Sequence, residues 1–167
     1  MFRDQMPGKQ AIVFIILLIL SLTASARQTV GYVENVSVYP GALHMHAKVD
    51  SGATNSSLNC NCSRIIQQDG ADWVKFTLVD MNGKTFSTTK KVVRYSRVVQ
   101  HTGYTQRRPV VRLGICMAGI YRDVEVNLVN RGDFNYQMLI GRSFMLNDFL
   151  IAPDKKFITK PNCTTNK

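Results

Sequence analysis

Short runs of strand-forming residues, each stopped by a turn signal, constrain this chain more than any other feature. Residues 30–38, 43–49, 55–62, 73–79, 84–89, 91–99, 109–116, 121–129 and 138–140 read as strands, most of them rich in β-branched and aromatic side chains, with turn residues such as Gly, Pro, Asn and Asp between many of them. Such spacing predicts an all-β domain, a barrel or a sandwich. Asn82-Gly83, inside Asp80-Met81-Asn82-Gly83, is the strongest short-range hairpin signal in the chain. A second hairpin is expected to turn within residues 100–107. Only one helix is expected, from Arg142 to about Asp148.

The first 26 residues have a different character. Arg3 and Lys9 supply positive charge, residues 11–22 are apolar apart from Ser21, and Ala24-Ser25-Ala26 forms an A-x-A cleavage site. That apolar run is short of the roughly 20 residues a membrane span needs. The expectation is a cleaved signal peptide over residues 1–26, a periplasmic or secreted protein, and membrane contact only through an uncleaved signal. Residues 27–160 then form one domain, and residues 161–167 a polar tail, loose unless Cys163 ties it down.

The full chain carries a net charge of +10. Acidic partners suit such a balance, but the basic residues are scattered and no nucleic-acid motif accompanies them. Four cysteines, Cys60, Cys62, Cys116 and Cys163, follow the export signal, so disulfides are plausible in an oxidising compartment. Three complete pairings exist. Close neighbours such as Cys60 and Cys62 seldom bridge without strain, so the expectation is that one of them joins Cys116 and the other Cys163. The C-x-C spacing lacks the second pair that a structural zinc site uses.

Chemistry points to one stretch, Ala47-Lys48-Val49-Asp50-Ser51-Gly52-Ala53. Strand interiors disfavour Asp and Gly, so their arrival straight after Val49 marks where the chain leaves a sheet and presents Asp50. A second apolar run, Met138-Leu139-Ile140, is stopped by Gly141-Arg142 much later in the chain. Taken alone, Asp50 is a turn-forming Asx residue or a catalytic acid.

The two stretches together resemble the retropepsin-like aspartic proteases, and more closely the bacterial branch often labelled "ATP-dependent zinc protease". In that family an apolar-Asp-Thr/Ser-Gly-Ala loop carries the catalytic acid and a later apolar-apolar-Gly strand packs beneath it. Residues 73–76, 108–111, 124–128, 130–131 and 149–153 add to the likeness, which spans about residues 32–157. The resemblance implies a closed β-barrel with one short helix, in a homodimeric acid-protease architecture. It implies that Asp50 is catalytic, supported by Ser51, Gly52 and Ala53, with Leu139, Ile140, Gly141 and Arg142 in the core strand under the site. A mobile hairpin folds over the substrate in this family; His101, Thr102, Gly103 and Tyr104 are the candidate flap, and the Asn82-Gly83 tip competes for the role.

Aspartic proteolysis needs two carboxylates that share one proton, one activating water while the other polarises the scissile carbonyl. Asp50 stands in the chain's only Asp-Ser/Thr-Gly triplet. An active enzyme therefore requires two copies of the chain around a two-fold axis, each lending one Asp50. The expected substrate is a peptide or protein. No cofactor is implied: there is no H-E-x-x-H zinc motif and no phosphate loop for ATP, and His44-x-His46 reads as a polar strand face rather than a metal pair. Viral members place an Asp after the Asp-Thr-Gly-Ala motif to pair the Arg that follows the later Gly. Here Thr54 stands there, leaving Asp133, Asp148 or a free helix surface for Arg142. The alternative function is a catalytically silent module of the envelope that holds an extended peptide. A structural envelope protein is a third.

Overall fold

A computed structural model describes residues 26–99, 103–130 and 135–164. The expected signal peptide therefore lies outside the described residues apart from Ala26, as do His101, Thr102 and Asp133. Among the described residues eleven strands and one helical turn follow in order: β1 (Gln28–Tyr39), β2 (Leu43–Val49), β3 (Ser56–Asn59), β4 (Asn61–Gln68), β5 (Ala71–Val79), β6 (Thr85–Lys91), β7 (Arg94–Val99), β8 (Thr105–Met117), β9 (Ile120–Val129), β10 (Met138–Ile140), α1 (Arg142–Met145) and β11 (Phe149–Lys156). No helix among the described residues is long and apolar enough to cross a membrane.

β2 shows why these segments are strands. Leu43, Met45, Ala47 and Val49 are buried while His44, His46 and Lys48 face outward, the period of two of a sheet with one wet face. The first sheet runs β11-β1-β2-β10-β3-β9-β8-β7, and a further pairing of β1 with β8 closes six of these strands into a barrel. Val36 meets Met117 and Val38 meets Ile115 at that seam. β10 lies parallel to β2 and antiparallel to β3. The remaining strands, β4, β5 and β6, form a separate antiparallel sheet. Its buried row, Val74, Phe76 and Leu78, belongs to the same apolar core as Met45, Leu113, Leu128 and Ile140 in the barrel. Bonds from Met81 N–H to the His44 carbonyl and from Lys84 Nζ to the Gly41 carbonyl, both 2.9 Å, fix this sheet near the start of β2. Asp50 stands at the other end of that strand.

The all-β class, the closed barrel and the Asp80–Gly83 turn match the sequence reading. Four details differ. The run 55–62 breaks at Cys60, and the chain leaves the barrel there to enter the second sheet as β4. Between β4 and β5 a two-residue turn, Asp69-Gly70, takes positive φ at both positions, 51° and 70°, the conformation that tight hairpins favour. The helix stops at Met145 because Leu146 turns extended and Asn147 adopts a φ of 72°. Arg122 donates to the freed carbonyls of Phe144 and Leu146 and pairs with Asp148. Residues 149–156 form a further strand, β11, parallel to β1.

The disulfide pairing corrects the expectation. Cys116 and Cys163 bond to each other, which leaves neither for Cys60 or Cys62; Cys60 is itself disulfide-bonded. The tail approaches Cys116 because Glu34, fully buried on β1, gathers it in. The Glu34 carboxylate accepts N–H bonds from Gly31 at 2.7 Å, Ile158 at 3.3 Å and Thr159 at 3.1 Å. A buried carboxylate needs such donors, and a chain end supplies them here. Phe157, just before, lays its ring 4.7 Å from that of His46.

Candidate active site

Asp50 follows β2 directly, and its backbone N–H still donates to the Ile140 carbonyl of β10 at 2.9 Å. The chain then turns: the Asp50 Oδ1 accepts the Gly52 N–H at 2.8 Å, and the Ala53 N–H reaches back to the Asp50 carbonyl at 3.3 Å. This is an Asx turn, so the bland reading of the triplet and its placement at a strand end describe the same geometry. Asp50 is half-buried, Ser51 and Gly52 are exposed and Ala53 is half-buried.

The loop is held from beneath by the second glycine stretch. Gly141 packs so closely on the loop that a Cβ there would lie 2.5 Å from the Asn55 carbonyl carbon and 2.9 Å from the Thr54 oxygen. Only glycine permits that approach. Its N–H donates to the Ser56 hydroxyl at 3.2 Å, and Ser56 is fully buried. Arg142 N–H meets the Ala53 carbonyl and Ser143 N–H the Thr54 carbonyl, each at 2.9 Å.

Arg142 solves its partner question locally. Its guanidinium donates to the Ser51 carbonyl at 2.7 Å and to the Thr54 hydroxyl at 2.9 Å. Thr54, the residue that replaces the expected acid, is therefore the partner itself, and Asp148 is taken by Arg122. A cation spanning two points of the loop fixes its shape with charge-assisted bonds.

The residues singled out around Asp50 thus meet in space: Ser51, Gly52 and Ala53 in the turn, Ile140, Gly141 and Arg142 beneath it. Leu139 does something else. Ile140 and Met138 point into the core, whereas Leu139 is half-buried on the outer face, between Lys48 of β2 and Ser57 of β3. Together with Val129, Tyr136 and Gln137 these three line a pocket one strand row below Asp50. The sequence reading assigns Lys48 and Ser57 no part in a pocket, Ser57 being considered there only as a nucleophile without a base, although the period of two along β2 places Lys48 on the face of Asp50. Of the candidate flap, Gly103 and Tyr104 lie at the exposed turn between β7 and β8. The first residues of β8, up to Pro109, pair with β7 alone, so this hairpin extends beyond the β8–β9 ladder. Among the described residues no cluster of three or more His, Cys, Asp or Glu has the geometry to hold a metal ion.

Comparison with known proteins bears on the family and the fold. Probable alpha-L-glutamate ligases from Shewanella pealeana and Desulfotalea psychrophila are 32% and 30% identical to this chain over 70% and 68% of its length. The chain spans only about a quarter of those relatives, 26% and 25%. A crystal structure of a Legionella pneumophila protein of unknown function, Lpg0085, superposes with a TM-score of 0.67 at 30% identity, covering 81% of this chain and all of the other. A family model described as retropepsin-like aspartic endopeptidase RimB matches residues 29–162, so the chain belongs to the RimB-like family of retropepsin-like proteins.

Proposed function

We propose that this protein is an exported aspartic endopeptidase, active as a homodimer in which the Asp50 carboxylates of two copies share a proton and activate a water. The observation that carries the reading is the placement of Asp50: a half-buried acid at a strand end, in a turn braced by Gly141 and Arg142. Such bracing suits a group that must meet its twin within a few tenths of an ångström. Family membership supports the same chemistry. One chain brings one such acid, so activity is expected to fall with dilution as dimers dissociate.

Two features favour glutamate-rich substrates. The relatives are named as glutamate ligases, and Lys48 brings the one charged side chain to the lining of the pocket below the acid, on a chain of net charge +10. A glutamate side chain with its stem on Leu139 and its carboxylate toward Lys48 fits that lining. Export is favoured by the leader-like first 26 residues and by the disulfide between Cys116 and Cys163. The alternative is a module that holds such a chain without cutting it, and the ligase names of the relatives favour it.

The test is cleavage of a diverse peptide mixture that includes oligoglutamates, from acid to neutral pH, by the mature chain and by Asp50→Asn. Mass spectrometry supplies the readout, and a chelator serves as control. Cuts that vanish in the variant and survive chelation are expected. Intact peptides with both folded proteins, alongside measurable binding, would replace the enzyme with the holding module.

A further inference from the structure

The pocket beneath Asp50 does not end at Leu139. It adjoins a second cavity, and the two share Asn59 and Gln137. This second cavity lies where the barrel meets the β4-β5-β6 sheet, lined further by Asn61, Thr77 and Val79. Its character is different. Lys48, Leu139 and Met138 give way to Cys60, Asn61, Thr77 and Val79, with no charged group in the lining.

Gln137 bridges the two structural units at this point, and does so weakly. Its Oε1 takes the His46 N–H at 3.4 Å and its Nε2 reaches the Val79 carbonyl at 3.5 Å. Both contacts sit at the outer limit of a hydrogen bond, where little of its strength remains. A side-chain amide so placed can exchange these contacts for a better-aligned partner at small cost. A primary amide offers a donor and an acceptor side by side, the match for a peptide group. The three amides of Asn59, Asn61 and Gln137 and the Thr77 hydroxyl, with no charge among the lining residues, favour an uncharged polar group that both donates and accepts, which is the main chain of a polypeptide rather than an ionised side chain.

We propose that this junction is a second subsite, holding the main chain of the substrate at a distance from the bond to be cut. The inference rests on the peptide-binding reading of the first pocket. Leu139 pairs with Lys48 and Met138 with Ala47, which puts Gln137 level with His46, four residues before Asp50. Four strand residues span about 13 Å, so a substrate residue about four positions from the scissile bond reaches the junction in extended form. The subsite makes the protein a reader of chain length: short peptides fill only the pocket at Lys48, and longer ones engage both cavities.

The experiment measures calorimetric binding of capped oligoglutamates of four and eight residues to Asp50→Asn, which holds substrate without cutting it, alongside cleavage of the same peptides by the wild type. The eight-residue peptide is expected to bind about tenfold more tightly than the four-residue one, equivalent to about 1.4 kcal/mol. Thr77→Val in the Asp50→Asn background is expected to erase that gain while leaving the four-residue affinity unchanged, because Thr77 lines the second cavity and not the first. Asn61→Ala, at an exposed position, is a second variant that leaves the barrel–sheet bridge in place. A length gain that survives both variants, or no gain at all beside normal binding of the short peptide, overturns the subsite and leaves the peptidase reading standing. A gain lost in the variants, with no cleavage of either peptide by the wild type, supports the subsite and overturns the peptidase. Absence of binding at both lengths overturns the two together.

Discussion

The Asp50 turn and the β7–β8 turn each carry a glycine after a strand, and they are built in opposite ways. The Asp50 turn is clasped on its inner side: Gly141 presses against the Thr54 and Asn55 backbone, Arg142 grips Ser51 and Thr54, and Ser56 receives a buried N–H. At the β7–β8 turn a Cβ added to Gly103 would meet nothing within 4 Å, and Tyr104 is 68% exposed. One turn holds a carboxylate still, and the other leaves a hairpin tip open to solvent. A peptidase needs both, a fixed acid and something able to close over it. Stiffness here follows from what packs against the turn, not from the glycine within it.

Substitutions can break this contrast. Asp50→Asn is expected to reduce turnover by at least about a thousandfold, the scale of a lost general acid or base, while the urea midpoint barely moves, because an amide oxygen still accepts the Gly52 N–H. Gly141→Ala drives a methyl into backbone that has nowhere to shift, and is expected to lower unfolding free energy by about 2 kcal/mol or more, read from urea titration. A wild-type midpoint in that variant would mean that the loop is looser than its contacts imply. The root of the β7–β8 hairpin gives a smaller effect. Tyr95 on β7 donates to the Asp72 carboxylate at 2.6 Å, and this bond, followed by burial, raises the phenol above its ordinary value of 10.0. The folded state thus favours the neutral phenol. Its contribution is complete below about pH 10 and is lost as pH rises through the raised value. Tyr95→Phe is expected to cost about 1 kcal/mol at neutral pH, the gap from wild type closing in strongly alkaline solution. Smallest of all, Tyr104→Ala is expected to alter stability by less than about 0.5 kcal/mol. Any change it makes should fall on KM for peptide cleavage, and a variant with unaltered kinetics removes Tyr104 from the lid.

How much of this the sequence shows depends on how local each cause is. Asp50 at a strand end, the alternation of β2 and the Asn82-Gly83 turn all follow from neighbours a few residues apart. The Asp69-Gly70 turn is just as local, and its signal stands in the sequence unread, flanked by runs that look less apolar than the others. β11 was hidden for another reason. Its outer residues from Pro153 onward are exposed and polar, and it becomes a strand by lying parallel to β1, a pairing no local pattern announces. Helix length was overestimated because Arg122, from a distant strand, takes the carbonyls that a longer helix would have used. Lys48 was legible by period but had no meaning until Leu139 and Ser57 were placed beside it. The cysteine pairing and the Thr54 partner of Arg142 depend on closure of the barrel, which spacing does not encode.

The bond between Cys116 and Cys163, 47 residues apart in sequence, has a bearing on durability against proteolysis. It encloses β9, β10, α1 and β11 in one covalent ring, and that ring includes Gly141 and Arg142. A single backbone cut anywhere between the two cysteines opens the ring without releasing a fragment. The support beneath Asp50 stays tethered to β8, so a nicked molecule keeps every part needed to re-form the site.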